Sequence, residues 1–301
     1  MTASIVTDGA PPSGPPAVQR IVYVVHGDVA YHDQAVFSVC TLLALIEDRQ
    51  CRELGIHVYT DQPHRLPAHA QIQCWPLHRA ELQACRGPLD YVHRIKLAAL
   101  QRAEADVGLP FIYVDCDTRW LDLPLDAFRM LDSADAGTQP ICIMHAPEEQ
   151  ARPGPGSSAH YPLLDRHRSQ LADRGLRKTP PWEIWNAGTI GLPRAASGFF
   201  AAALELNDVL LPSAPVRTTV EQLAVSLVAT SQFSMRAFDR YLAHDWRFGQ
   251  EWPYLLAGFF AGLPQPIDTA SLVEHCRRLP VSEQALLEVR RRAHFRRHRR
   301  R

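Results

Sequence analysis

The residues of this chain best suited to chemistry are two aspartates one position apart. The segment Phe111-Ile112-Tyr113-Val114-Asp115-Cys116-Asp117 runs from four apolar residues straight into Asp115 and Asp117. In extended backbone, positions i and i+2 point to the same side, so both carboxylates face one ligand. Hard oxygen donors in such a pair suit Mg2+ or Mn2+, ions that bridge a few carboxylates to a substrate's phosphates. A cation held there neutralises a departing diphosphate as the bond to it breaks. Paired aspartates also arise in ordinary acidic turns; the apolar run in front of this pair is what singles it out.

The elements that must carry the pair are legible as alternating strands and helices. Ile21–Val25 is a β-branched and aromatic run that stops at His26-Gly27-Asp28, which predicts a buried strand ended by a turn. Ala35, Val39, Leu42, Leu43 and Ile46 recur at helical spacing between Tyr31 and Asp48. Ile56–Thr60 predicts a second strand ending at Asp61, and residues 70–75 a shorter third. Val92–Glu104 predicts a helix with Ile95, Leu97 and Leu100 on one face, followed by the strand Pro110–Val114 and a further strand at Ile141–Met144. Trp182–Leu192 predicts a strand and turn, 194–208 and 217–229 helices, 233–238 a strand, and the apolar stretch 252–262 a buried helix. Such alternation predicts an α/β chain with a parallel sheet and right-handed crossovers. Ligands of such sheets bind beyond the carboxyl ends of the strands, where Asp28, Asp61 and Asp115/Asp117 all fall.

Composition excludes several classes. The 301 residues carry 32 Lys+Arg against 32 Asp+Glu, so a basic nucleic-acid-binding body is not expected. The balance is uneven: residues 286–301 hold eight Arg and one Glu, leaving 24 basic and 31 acidic residues elsewhere. The seven cysteines (40, 51, 74, 85, 116, 142 and 276) form no CxxC pair and read as reduced thiols of a cytoplasmic protein. No signal peptide and no apolar run of membrane-spanning length is expected. Residues 1–19 read as a disordered leader, 20–285 as one domain, 147–181 as a mobile loop within it with one short helix near 163–173, and 286–301 as a basic tail lying outside the fold.

With these residues in view, the chain resembles the GT-A fold glycosyltransferases that use nucleotide sugars, especially the glycogenin and lipopolysaccharide-galactosyltransferase-like group. Asp28-Val29-Ala30-Tyr31 resembles the D-x-x-Y that holds the nucleotide base. His93-Arg94-Ile95-Lys96 resembles the helix whose basic residue contacts the donor. Asp115 and Asp117 match the metal-binding DxD, Asp115 being shared between ribose and metal. Asn186-Ala187-Gly188 matches the turn that touches donor sugar and acceptor, and Glu221-Gln222 stands where the group has Asp-Gln. His244 resembles the late metal-binding histidine. The Gly-x-x-Lys-Pro-Trp that follows it in the group is replaced here by Gly249 and Glu251-Trp252, with Arg247 as the substitute for the diphosphate-binding lysine.

The resemblance implies a single GT-A-like domain with a Rossmann-like, mostly parallel sheet flanked by helices. It also implies a metal-dependent hexosyltransferase that moves a sugar from a nucleoside diphosphate sugar, UDP-linked by preference, to an acceptor hydroxyl. The ion would be Mn2+ or Mg2+ on Asp115, Asp117 and His244. Asp28, Tyr31, Arg94, Lys96, Asp115 and Arg247 would bind the donor, and Asn186, Glu221 and Gln222 would position its sugar. Retention of configuration is implied; an inverting enzyme would need Glu183, Glu221 or Asp245 as a base. Trp182 and Trp185 suit either sugar stacking or core packing. The acceptor would be a glycan or lipid-linked glycan of bacterial polysaccharide synthesis, with residues 286–301 touching an anionic inner-membrane surface and nucleic acid unexpected as a partner. The alternative is a non-catalytic nucleotide-sugar-binding protein with a degenerate site. A dehalogenase-type phosphatase is excluded by Arg119 and the missing later Gly-Asp-x-x-x-Asp. Sugar nucleotidyltransferases are excluded by the lack of a Gly-rich loop at residues 26–34.

Overall fold

The computed structural model describes residues 19–133, 139–155, 157–177, 179–244, 248–249 and 251–298, without the side chains of residues 283 and 292–298. In chain order the strands are β1 (Gln19–Val25), β2 (Leu54–Thr60), β3 (Ile72–Pro76), β4 (Phe111–Val114), β5 (Thr118–Trp120), β6 (Ile141–Met144), β7 (Pro147–Ala151), β8 (Trp182–Trp185), β9 (Thr189–Leu192), β10 (Ser234–Ala237) and β11 (Leu242–His244). The helices are α1 (Val29–Arg49), α2 (Arg79–Cys85), α3 (Arg94–Asp106), α4 (Leu125–Asp132), α5 (Tyr161–Arg166), α6 (Arg168–Asp173), α7 (Phe199–Leu210), α8 (Val220–Gln232), α9 (Glu251–Ala261), α10 (Thr269–Arg278) and α11 (Glu283–His298).

A seven-stranded sheet in the order β10-β6-β9-β4-β1-β2-β3 forms the centre. It is mostly parallel: β1 pairs in parallel with β2 and β4, β2 with β3, and β6 with β10, while β9 runs antiparallel between β4 and β6. The α/β class with helices on both faces is as the sequence predicts. Alternation along each strand divides the core in two. Val22, Val24, Phe111 and Tyr113 face the layer of α3, α7 and α8, whereas Ile21, Tyr23, Val25, Ile112 and Val114 face α1, α9 and α10. Removing each such side chain from water contributes about 1.5–3 kcal/mol. β1 leaves toward β2 on one side and meets β4 on the other. The strand order reverses there, and the crevice outside the carboxyl ends of β1 and β4 is the switch point at which open α/β sheets take ligands.

Three expectations change, and one open alternative is settled. Residues 147–181 are not a loop: β7 pairs antiparallel with β8, and α5 and α6 bury Leu163, Leu164 and Leu171 in the core. The expected tail is helical from Glu283 to His298. It docks through fully buried Leu286 and through Arg290, which reaches Glu251 at 2.8 Å. α1 has the length and apolarity of a membrane span, yet 72% of that window is buried; in this fold it is a core helix, packed on the sheet, α9 and α10. Trp182 and Trp185 are both buried, and pack in the core. The described cysteines are all free, as expected; the leader's residues 1–18 lie outside the described residues.

Candidate active site

The turn after β4 is held from below by a hydrogen-bond chain of fixed polarity. The Trp120 indole N–H, a pure donor, gives to the Tyr23 hydroxyl at 2.7 Å. At the other end the Thr118 hydroxyl donates to the Asp115 carbonyl, a pure acceptor, at 2.7 Å. Ser38 joins the two, 3.0 Å from Tyr23 and 2.8 Å from Thr118. With both ends determined, each hydroxyl has one consistent direction. All four side chains are buried, and burial pushes the Tyr23 phenol up, out of its ordinary range. The backbone of the aspartate pair is thus tied to β1, α1 and β5.

His244, more than a hundred residues away in sequence, arrives by strand pairing. β11 lies antiparallel to β5 with His244 opposite Thr118, which sets its imidazole beside Asp117: Nε2 stands 3.2 Å from Asp117 Oδ1. Ligand atoms of Asp115, Asp117 and His244 all lie within 4.8 Å of one another. Burial raises the Asp117 pKa, but the hydrogen bond and charge of His244 outweigh it and hold the carboxyl below its ordinary value. Burial lowers the His244 pKa, and Asp117 outweighs that and raises it.

The residues fit a divalent cation. Two carboxylates and one imidazole are oxygen and nitrogen donors of the kind divalent cations take, and their ligand atoms lie close enough for one ion to reach all three. Space is reserved as well. A Cβ on Gly188 would stand 2.3 Å from His244 Cε1 and 2.8 Å from Asn186 Oδ1, so the ring occupies room that only glycine leaves. His244 Nδ1 is buried without a hydrogen-bond partner among the described residues, and behind the ring His145 stacks edge-on at 5.1 Å.

Lys96 is the cation of the site. It faces inward from α3 because Ile95, Leu97 and Leu100 bury the neighbouring stripe. Its ammonium lies 3.3 Å from Asp115 Oδ1 and 3.0 Å from Glu221 Oε1, donates to the Ala187 carbonyl at 2.8 Å, and sits over the Tyr113 ring. Burial alone pushes its pKa down, but Asp115 and Glu221 outweigh this and raise it. Tyr113 also donates its hydroxyl to Asp115. Arg94, two positions earlier, points elsewhere, as positions i and i+2 of a helix do. It forks onto Asp208 of α7 with two 2.8 Å bonds and donates to the Cys85 carbonyl, so it is committed to the fold and stands apart from the Lys96 network.

The 186–188 turn joins these parts. The Gly188 carbonyl accepts from Asp115 N–H at 2.8 Å, Gly188 N–H donates to Asn186 Oδ1, and Ala187 N–H donates to Gln222 Oε1. Asn186, Glu221, Gln222, Lys96, Asp115, Asp117 and His244 are thereby brought together. A cavity of about 320 Å3 opens beside them, lined by Tyr31 and Gln34 of α1, His26 at the end of β1, His93, Lys96 and the aspartates. Asp28 is exposed and caps α1 through Ala30 N–H at 2.9 Å. Arg247 and Asp245 lie outside the described residues. Sequence reasoning missed Glu148, which both Asn186 and Gln222 reach. A larger hollow of about 600 Å3, beside Glu104, Arg194 and Gly198, is lined by none of these residues.

No known protein-family profile matches the chain, and no curated protein matches it. Solved structures do resemble it at low identity. The galactosyltransferase LgtC in complex with donor and acceptor sugar analogues is 12% identical with a TM-score of 0.41, over 69% of this chain and 70% of that one. Mouse xyloside xylosyltransferase 1 is 12% identical with a TM-score of 0.42, over 73% and 84%. The glycosyltransferase GlyE of Streptococcus pneumoniae is 12% identical with a TM-score of 0.40, over 91% and 64%. What this chain does is read from its own residues.

Proposed function

We propose that this protein is a metal-dependent glycosyltransferase that moves a sugar from a nucleoside diphosphate sugar to an acceptor hydroxyl. The observation that carries the proposal is the convergence of Asp115, Asp117 and His244 at the switch point of the sheet, beside a cavity that also presents Lys96. A divalent ion bound there supplies charge neutralisation for a leaving diphosphate. The protein's own residues do the rest. Lys96 adds a fixed positive charge that needs no reorganisation, because Asp115, Glu221 and the Ala187 carbonyl already orient it. Tyr31, more than half exposed at the cavity mouth, offers an aromatic face to a nucleotide base. Asn186 within the turn, Gln222 on its Ala187 N–H and Glu221 beside Lys96 are the residues that would position the sugar.

Mn2+ or Mg2+ as the ion, UDP as the nucleotide, retention of configuration and a glycan or lipid-linked acceptor in bacterial polysaccharide synthesis are the finer parts of the same proposal, supported by the motif resemblance. A cytoplasmic location is favoured by cysteine usage, and contact of residues 286–301 with an anionic membrane rests on the charge of that stretch alone, within which Leu286 is buried and Arg290 pairs with Glu251. A thermal-shift screen of nucleoside diphosphate sugars, with and without Mn2+, tests the reading. At least one donor should raise the melting temperature in a Mn2+-dependent way; a screen in which no donor does so in the presence of Mn2+ would refute it.

A further inference from the structure

Two amides of the site are oriented by a residue that no sequence motif contains. Asn186 turns its Oδ1 to the Gly188 backbone N–H at 2.8 Å, and Gln222 turns its Oε1 to the Ala187 backbone N–H at 3.2 Å. Each amide therefore presents its NH2 end on the opposite side, and there both meet one carboxylate. Asn186 Nδ2 donates to Glu148 Oε1 at 2.6 Å, and Gln222 Nε2 donates to Glu148 Oε2 at 2.7 Å. Glu148 reaches this position because the β7–β8 register shifts between Pro147 and Glu149, the kind of irregularity that re-aims a side chain.

The polarity of this chain is set from both ends. A backbone N–H only donates, so the amide oxygens face Ala187 and Gly188. Whatever lies between the two NH2 groups must accept on both sides. Among side chains of this shape, an ionised carboxylate has two acceptor atoms and no hydrogen. A glutamine there brings its own NH2 against one of the amides, and flipping any amide moves the donor–donor contact along the chain without removing it.

We propose that Glu148 is a positioning residue. Its carboxylate decides which ends of Asn186 and Gln222 remain available to the sugar of a nucleoside diphosphate sugar, and it acts on the sugar part of the donor, not on the nucleotide. The inference rests on the glycosyl-transfer reading above. None of Glu148's hydrogen bonds reaches Asp115, Asp117, His244 or Lys96, so metal and nucleotide binding are separable from its role.

The test uses the full chain with Mn2+ and compares wild type, Glu148→Gln and Glu148→Asp. Affinity for UDP is measured by calorimetry, and turnover is measured with UDP-glucose, UDP-galactose and UDP-N-acetylglucosamine. The expected result is a loss of kcat/KM of about tenfold in Glu148→Gln, the size of one mis-set polar contact to the sugar. UDP affinity and melting temperature should be unchanged. Glu148→Asp, which keeps two acceptors, should retain more activity than Glu148→Gln. A role in shape alone predicts the reverse order, because glutamine is the isosteric replacement, and that order overturns the proposal. Undiminished kcat/KM in Glu148→Gln, or a parallel loss of UDP affinity, also overturns it while leaving glycosyl transfer standing. A wild type that neither binds UDP with Mn2+ nor turns over any of the three donors overturns the UDP-linked donor and Glu148's role toward it, while the wider donor screen decides glycosyl transfer itself.

Discussion

Gly188→Ala should disable the metal site without unfolding the protein, and the structure supplies the size of the effect. The added Cβ would stand 2.3 Å from His244 Cε1 and 2.6 Å from His244 Nδ1, whereas ordinary contacts of a Cβ begin at 3.4 Å. The imidazole must therefore retreat by about 1 Å. It has little room, since its side chain is only 4% exposed and His145 backs it. Gly188 is not among the glycines with left-handed backbone, so alanine brings no backbone strain of its own. A displacement of about 1 Å at a reacting site costs about 100-fold in rate, and disturbed ligand support costs about 10–100-fold in metal affinity. Mn2+ titration by calorimetry, with thermal unfolding as the folding control, reads both. A variant that binds Mn2+ and turns over donor within twofold of wild type would refute the placement of His244 over this glycine.

Four further outcomes follow from the structure. Lys96→Met leaves Glu221 buried without its cation, so it should cost about 3 kcal/mol of stability and most of the activity. Arg94→Met loses only the Asp208 fork, should cost about 1–2 kcal/mol, and should leave the KM for donor unchanged; urea unfolding and steady-state kinetics separate the two. Tyr23→Phe breaks the Trp120–Tyr23–Ser38–Thr118 chain in its middle and leaves the buried indole N–H unpaired, for a loss of about 1–3 kcal/mol by urea unfolding. His57, whose Nδ1 accepts from the Trp75 indole at 3.2 Å, is held down to about 4 by burial first and Arg20 second. Between the ordinary histidine value of about 6.5 and pH 4 the unfolded chain takes a proton that folded His57 refuses. Stability should therefore fall as pH drops through that window, by up to about 3 kcal/mol, and His57→Gln should flatten the dependence.

How far the sequence reached can be judged from particular elements. The apolar runs at Ile21–Val25, Ile56–Thr60, Phe111–Val114 and Ile141–Met144 are strands because strands covered on both faces carry continuous β-branched and aromatic residues. Asp115 and Asp117 were legible because the pair directly follows such a run. β7 was not: Pro147, Glu148, Glu149 and Gln150 are all exposed, and without a buried alternation the segment resembles a polar loop. α5 and α6 are six residues each, and the sequence showed them as one short helix near 163–173, because segments that short do not carry enough of a helical period to reveal the break between them. The choice between Arg94 and Lys96 turns on Asp208, a partner 114 positions away from Arg94. The basic stretch at the end of the chain hides its docking residue, because Leu286 and Leu287 stand just before the arginines. Glu148 depends on a bulge, which leaves no mark in spacing.

The central claim is that Asp115, Asp117 and His244 hold a cation that serves the departure of a nucleoside diphosphate. It is tested most directly by Mn2+-dependent release of nucleoside diphosphate from a panel of nucleotide sugars, comparing wild type with Asp117→Ala. Wild type should release diphosphate from at least one donor with Mn2+ and none after chelation, and Asp117→Ala should release none although it remains folded. Release that persists undiminished in Asp117→Ala, or a wild type that releases none from any donor with Mn2+ present, would contradict the claim.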